Sequence, residues 1–219
     1  MATLRAAPRA GDPDPRPAST AVGYALAGWL GAAAILAGLA GIVAARWLAA
    51  VSGFDGLTVG LGFGTALAGL RLVARQPIRA TGARHIGTAL GIGIAFGLAL
   101  VLGGALGASL GDHPVVPGLG RPAAQFVPWA AITIVVAAAE EGILRGVLFD
   151  RLQASGGAFV AIVVTTLAFG LMHVPLYGWH VVPLDLAVGL GFAGLRLSMR
   201  STIAPAAAHA VADLATWWL

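Results

Sequence analysis

The chain has 219 residues, 58% of them hydrophobic and only 10% charged, with a formal net charge of +4 and a mean hydropathy of +0.89. A soluble domain of this size carries about a quarter charged residues, so the composition excludes one and indicates an all-α, polytopic membrane protein. The positive charge reads as loop arginines rather than a nucleic-acid face. With no cysteine, disulfides, thiol nucleophiles and Cys-ligated metals are excluded as well.

Residues 1–19 are rich in Pro, Ala and Arg without an apolar core, which predicts a disordered cytoplasmic tail and no cleavable signal peptide. A spanning helix needs about 20 mostly apolar residues. Seven stretches qualify, near 21–45, 56–74, 86–111, 125–149, 157–176, 180–197 and 202–219. Arginines then orient them. Arg5, Arg9 and Arg16 precede the first span, Arg71, Arg75, Arg79 and Arg84 crowd the second connection, Arg151 follows the fourth span, and Arg196 and Arg200 follow the sixth. The alternate loops hold Arg46 and Arg121, so the N-terminus is expected on the cytoplasmic side of the membrane. All thirteen basic residues are arginine; with so much Ala and Gly, this suggests a GC-rich bacterial gene and hence an inner-membrane location. The turn-forming segment 107–122 divides the chain into leading helices (20–111) and a later block (125–219) within one membrane domain. Glycine pairs four apart (Gly60 and Gly64, Gly87 and Gly91, Gly93 and Gly97, Gly103 and Gly107) predict close helix contacts.

The only two glutamates, Glu140 and Glu141, stand side by side in an apolar run, where ionised groups are expensive and mark function. On a helix Glu141 and Arg145 share a face, while Glu140 points about 100° away. That suggests one carboxylate for chemistry and one held by the arginine. Two further islands follow, Phe169-Gly-Leu-Met-His173 and His209-Ala-Val-Ala-Asp213, each a four-residue step on one helical face. Buried charge must be paired or face a water-filled cavity, so the economical arrangement gathers all three islands around one polar centre. A glutamate and two histidines suffice to activate water, with or without zinc.

In this order and spacing, Glu140-Glu141-x-x-x-Arg145, Phe169-x-x-x-His173 and His209-x-x-x-Asp213 resemble the three-motif signature of the CPBP family. These are the CAAX-processing and bacteriocin-processing intramembrane proteases, also called the ABI family, and the resemblance covers about residues 125–219. It implies an intramembrane endopeptidase acting on a peptide or membrane-anchored protein substrate. By that resemblance Glu140 with His173 activates the attacking water, Glu141 with Arg145 orients the site, and His209 with Asp213 stabilises the oxyanion. The last motif often ends in asparagine. Asp213 donates a hydrogen bond only when protonated, which leaves orienting His209 or joining a metal site as alternative roles. Were a divalent metal such as zinc present, its donors would be Glu140, His173 and His209. The sequence names neither the substrate nor the oligomeric state.

Other patterns read as accidents of composition. Gly189-x-Gly191-x-x-Gly194 matches a dinucleotide fingerprint but lies in an apolar span with no βαβ unit, so packing explains it. Gly107-Ala-Ser109-Leu-Gly111 has the form of a nucleophile elbow without the strand-to-helix turn. His85, His113 and His180 lack motif company, and Asp185 stands alone in the sixth span as a further candidate for lining the cavity. Two other functions fit intramembrane Glu, His and Asp: a proton-coupled transporter, and a non-catalytic immunity or scaffold protein. The span boundaries also place His173 about 24 Å from the cytoplasmic end of its helix, with Glu140 and His209 nearer that end.

Overall fold

The computed structural model describes residues 18–74, 83–110 and 123–218, and every element among them is helical. The expected tail, the arginines at 75 and 79, and most of the 107–122 loop with His113 and Arg121 lie outside these residues. In chain order the helices are α1 (Ala18–Val51), α2 (Gly56–Val73), α3 (Ala83–Leu110), α4 (Phe126–Glu141), α5 (Phe149–Tyr177), α6 (Val182–Met199) and α7 (Ile203–Ala215). A π-helical segment, Gly142–Leu148, joins α4 to α5 without a break.

Among the described residues, five helical stretches are long and apolar enough to cross a membrane, so this is a multi-pass membrane protein. Seven such stretches are not found on length and composition. Phe126–Tyr177 forms one run of 52 residues, and Ile203–Ala215 is a shorter apolar helix.

That long run is folded on itself. Gly157 has φ 83° and ψ 173° inside α5, a left-handed conformation that glycine reaches without strain. In a straight helix Arg145 and Phe169 would stand about 36 Å apart, yet the Arg145 guanidinium lies 4.7 Å from the Phe169 ring centre. The chain therefore reverses at Gly157, making a helical hairpin with Arg145 and Phe169 twelve residues to either side. The fourth span is expected from sequence to end near 149, with Arg151 after it, but the helix continues through Asp150, Arg151, Gln153 and Ser155. They remain helical because their polar groups find partners: Arg151 donates to the Ala74 carbonyl at the end of α2 (2.8 Å), and Asp150 accepts from Arg196 of α6 (2.5 Å). This corrects the depths. Glu140 and His173 lie seventeen and sixteen residues from the reversal, about 25 Å along their respective arms.

Glycines admit the close contacts that gather the helices. A Cβ on Gly97 of α3 would come 2.6 Å from the Ala208 carbonyl oxygen of α7, and one on Gly93 would collide with the Ala204 carbonyl oxygen. Gly60 and Gly64 of α2 lie against Ile132 and Val136 of α4 (3.0 and 3.1 Å to an added Cβ). By contrast Gly87, Gly91 and Gly103 have nothing within 4 Å. Four-residue glycine spacing thus marks real packing in two of the four pairs and open space at Gly87, Gly91 and Gly103, with the surroundings of Gly107 outside the described residues. At the start of α2, Asp55 accepts from the Leu57 and Thr58 amides (both 3.0 Å) and from the Thr58 hydroxyl (2.6 Å). Those bonds, the Thr58 hydroxyl foremost, hold its carboxyl below the usual carboxylate range.

Gly93→Ala and Gly97→Ala each push a methyl into a facing helix and are expected to cost about 1–3 kcal/mol. Thermal unfolding in detergent should show both melting lower, with Gly87→Ala unchanged.

Candidate active site

The site is built outward from Arg145, whose side chain has no exposed surface. Its Nη1 donates to Glu141 Oε1 at 2.8 Å, so the four-residue spacing does bring the pair together. Its Nη2 donates to the Gly189 carbonyl of α6 at 3.0 Å. The guanidinium also faces two rings, Phe169 at 4.7 Å and Phe192 at 5.4 Å, whose electron-rich faces attract a cation. Gly189 has a definite role here. A Cβ on it would stand 3.3 Å from Arg145 Nη2 and 3.2 Å from Thr166 Cγ2, so a small residue keeps the carbonyl within reach. Gly191 likewise faces Phe96 (2.5 Å to an added Cβ), whereas Gly194 has open space. Packing accounts for two of the three glycines in the apparent dinucleotide fingerprint.

Glu141 is fully buried and its Oε1 is shared: besides Arg145 it meets His209 Nδ1 at 3.2 Å. The other ring nitrogen of His209, Nε2, lies 3.6 Å from Glu140 Oε2 and 3.4 Å from Asp213 Oδ2. His209 therefore sits among three carboxylates, two from the adjacent glutamates about 70 residues earlier in the chain and one from its own helix. A neutral imidazole has a single N–H, so protons at this centre must be shared between ring and carboxylates. Phe169 and Phe192 enclose His209, with ring centres at 5.4 and 5.3 Å. Glu140 and Glu141 are buried, whereas the Asp213 side chain is 42% exposed and forms the open rim.

His173 approaches from the other arm of the hairpin. Its ring is edge-on to Phe169 (4.9 Å), which thereby touches both histidines. Its Nδ1 lies 3.0 Å from the Phe169 carbonyl oxygen and 3.2 Å from Asp185 Oδ2. Glu140, His209 and Asp185 are the charged groups that act on it electrostatically.

All six motif residues thus converge, but not uniformly. Glu140, Glu141, Arg145, His209 and Asp213 form one connected cluster, and His173 joins it through the Phe169 ring. Among the described residues, no group of three His, Asp or Glu side chains is disposed to hold a metal ion. That includes Glu140, His173 and His209: both nitrogens of His209 face carboxylates, and one nitrogen of His173 is taken by Asp185 and a backbone carbonyl. Ser109 ends α3 and its side chain lies outside the described ones. His180 sits in the short turn Trp179–Val181, apart from the motifs.

Three further residues contribute that motif spacing does not signal. Arg196, read from sequence as a loop arginine, donates from Nε to the Arg145 carbonyl at 2.7 Å and from Nη2 to Asp150. The π segment frees backbone carbonyls from regular helical bonding, and Arg196 supplies a partner for one of them. Phe192 closes the floor. Arg46 of α1 stacks over Phe63 (4.3 Å) within electrostatic reach of Glu140.

The fold and the site define a polytopic helical membrane protein with a charged centre enclosed by its C-terminal helices. Within it, residues 122–215 match the family described as Rce1-like, type II CAAX prenyl endopeptidase Rce1-like, which agrees with the resemblance carried by the three motifs. The match contains every motif residue. No curated protein and no solved structure matches the chain.

Removing Arg145 leaves Glu141 buried with its main counter-charge gone. Arg145→Ala is expected to destabilise the protein by about 3–5 kcal/mol, and Arg145→Met combined with Glu141→Gln to recover much of that loss. Unfolding of the purified variants in detergent measures both.

Proposed function

We propose that this protein is an intramembrane endopeptidase of the CAAX type, which hydrolyses a peptide bond of a membrane-associated substrate with water activated by Glu140. The observation that supports this reading most is the convergence of Glu140, Glu141 and His209 from opposite ends of the matched segment, within 3.2–3.6 Å contacts in a buried setting. Arg145 and His209 both engage Glu141, which leaves Glu140 as the carboxylate not held by the arginine. In this mechanism Glu140 takes the proton of the attacking water, with His173 on the opposite arm helping to place it. The hydroxide attacks the scissile carbonyl, and His209 faces the oxyanion as N–H donor. Glu140 then returns the proton to the leaving amine. Glu141 and Arg145 keep the site oriented. Asp213, at the open rim beside His209 Nε2, yields that N–H to the oxyanion as it forms. No step passes through a metal.

Seven crossings with a cytoplasmic N-terminus in a bacterial inner membrane complete the proposal, supported by the arginine asymmetry and by the reversal at Gly157, which makes two arms of the longest run. The family description favours a prenylated C-terminal peptide as first substrate to try; other membrane-anchored peptides are the alternative class.

Glu140→Gln preserves shape but removes the base. It is expected to lower turnover about 10²- to 10⁴-fold with the fold retained, while Ser109→Ala leaves turnover unchanged. Comparison of newly formed protein N-termini in membranes carrying wild type or Glu140→Gln tests the activity and identifies the substrate together. Termini unique to the wild type are expected; identical sets from equally abundant, folded proteins would overturn the assignment and favour a carrier or scaffold.

A further inference from the structure

His173 carries an interaction that the three motifs do not contain. Its Nδ1 faces two oxygens, the Phe169 carbonyl at 3.0 Å and Asp185 Oδ2 at 3.2 Å. Both are acceptors, so the hydrogen belongs on Nδ1 and the lone pair on Nε2. Asp185 reaches this position through a specific local route. The chain leaves α5 at Gly178, with φ 86°, passes the single turn Trp179–Val181, and re-enters helix at Val182, which puts Asp185 in the first turn of α6. The absence of a side chain at Gly170 lets that turn close onto α5: an added Cβ there would lie 3.8 Å from Asp185 Cβ and 3.1 Å from Leu186 Cδ2.

We propose that Asp185 is a positioning residue for His173, fixing the ring's orientation and its Nδ1–H tautomer so that Nε2 is presented to the reaction centre. This rests on the catalytic reading of His173 given above. The Phe169 carbonyl alone orients the ring; the carboxylate adds a negative charge behind it, which makes Nε2 a stronger proton acceptor and hydrogen-bond partner for water. The side chains of His173 and Asp185 are 14% and 19% exposed, so the interaction is only partly screened. A carboxylate in a spanning segment is costly. A packing contact between α5 and α6 does not require that charge, whereas polarising an imidazole does.

The test uses the full-length protein in liposomes with a quenched-fluorescent farnesylated CAAX peptide as probe. It is paired with ¹⁵N spectra of histidine-labelled protein, in which the His173 signals are assigned by their loss in His173→Gln. Asp185→Ala is expected to reduce kcat about 10- to 100-fold with KM within about twofold, and to convert part of the His173 ring to the Nε2–H form. Asp185→Asn retains an acceptor oxygen without the charge, and is expected to keep the wild-type tautomer and recover part of kcat. Unchanged ring signals in Asp185→Ala would overturn the proposal, whether or not the probe is cleaved. So would a lowered melting temperature with unchanged kcat per folded molecule, the pattern of a purely structural contact. Should Asp185→Ala fail to fold, Asp185→Asn carries the test: a wild-type kcat there removes any role for the charge. Full activity in His173→Gln is a different result, because it sinks the catalytic reading itself.

Discussion

A guanidinium without any exposed surface, inside a bundle that spans lipid, has to be satisfied by its neighbours, and much of the C-terminal architecture is the means of doing so. Arg145 has Glu141 within its own helix, the Gly189 carbonyl from α6, and the faces of Phe169 and Phe192. These partners come from α4, α5 and α6, so one charge ties the two arms of the hairpin to α6. Because Glu141 also receives His209, the tie extends to α7. The catalytic order proposed here is thus a by-product of charge satisfaction. The carboxylate that neutralises the arginine is Glu141, and its neighbour Glu140, about 100° round the same helix, is the one the proposed mechanism uses.

The helices themselves were legible from sequence because lipid demands long apolar runs, and the segments at 56–74, 86–111 and 180–197 lie close to α2, α3 and α6. The motif residues were legible for a related reason: in a chain this poor in charge, Glu140, Glu141, His173 and His209 stand out against Ala, Leu and Gly. What the sequence concealed were relationships between segments. The helix runs on past the expected end near 149, where Arg151 and Asp150 bond α2 and α6, contacts that no local sequence signal announces. The reversal at Gly157 rests on one glycine with positive φ, and nothing local distinguishes it from the many glycines that only pack.

Arginine placement carried two meanings that sequence alone merges. Arg151 and Arg196 read as orientation markers under the positive-inside rule, and both donate to backbone carbonyls, one at the end of α2 and one at the π segment. A topological signal and a structural bond are carried by the same side chains. Asp185 shows the converse. It lacked company in the sequence and gained it only when the turn at Gly178 set α6 against α5.

The fold at Gly157 has a mechanical side. Glu140 and His173 ride near the tips of two rigid arms, each about 25 Å long, that share one pivot. Opening the arms by about 10° would part the tips by about 4 Å, enough to separate the two groups that the proposed mechanism places on one water. A hinge with that leverage serves a reaction centre only if it is pinned well away from the pivot. The Arg145–Phe169 contact lies about 18 Å out and does so. The same leverage means that a small change of angle at a single glycine is felt least at the pivot and most at the tips, where Glu140 and His173 sit.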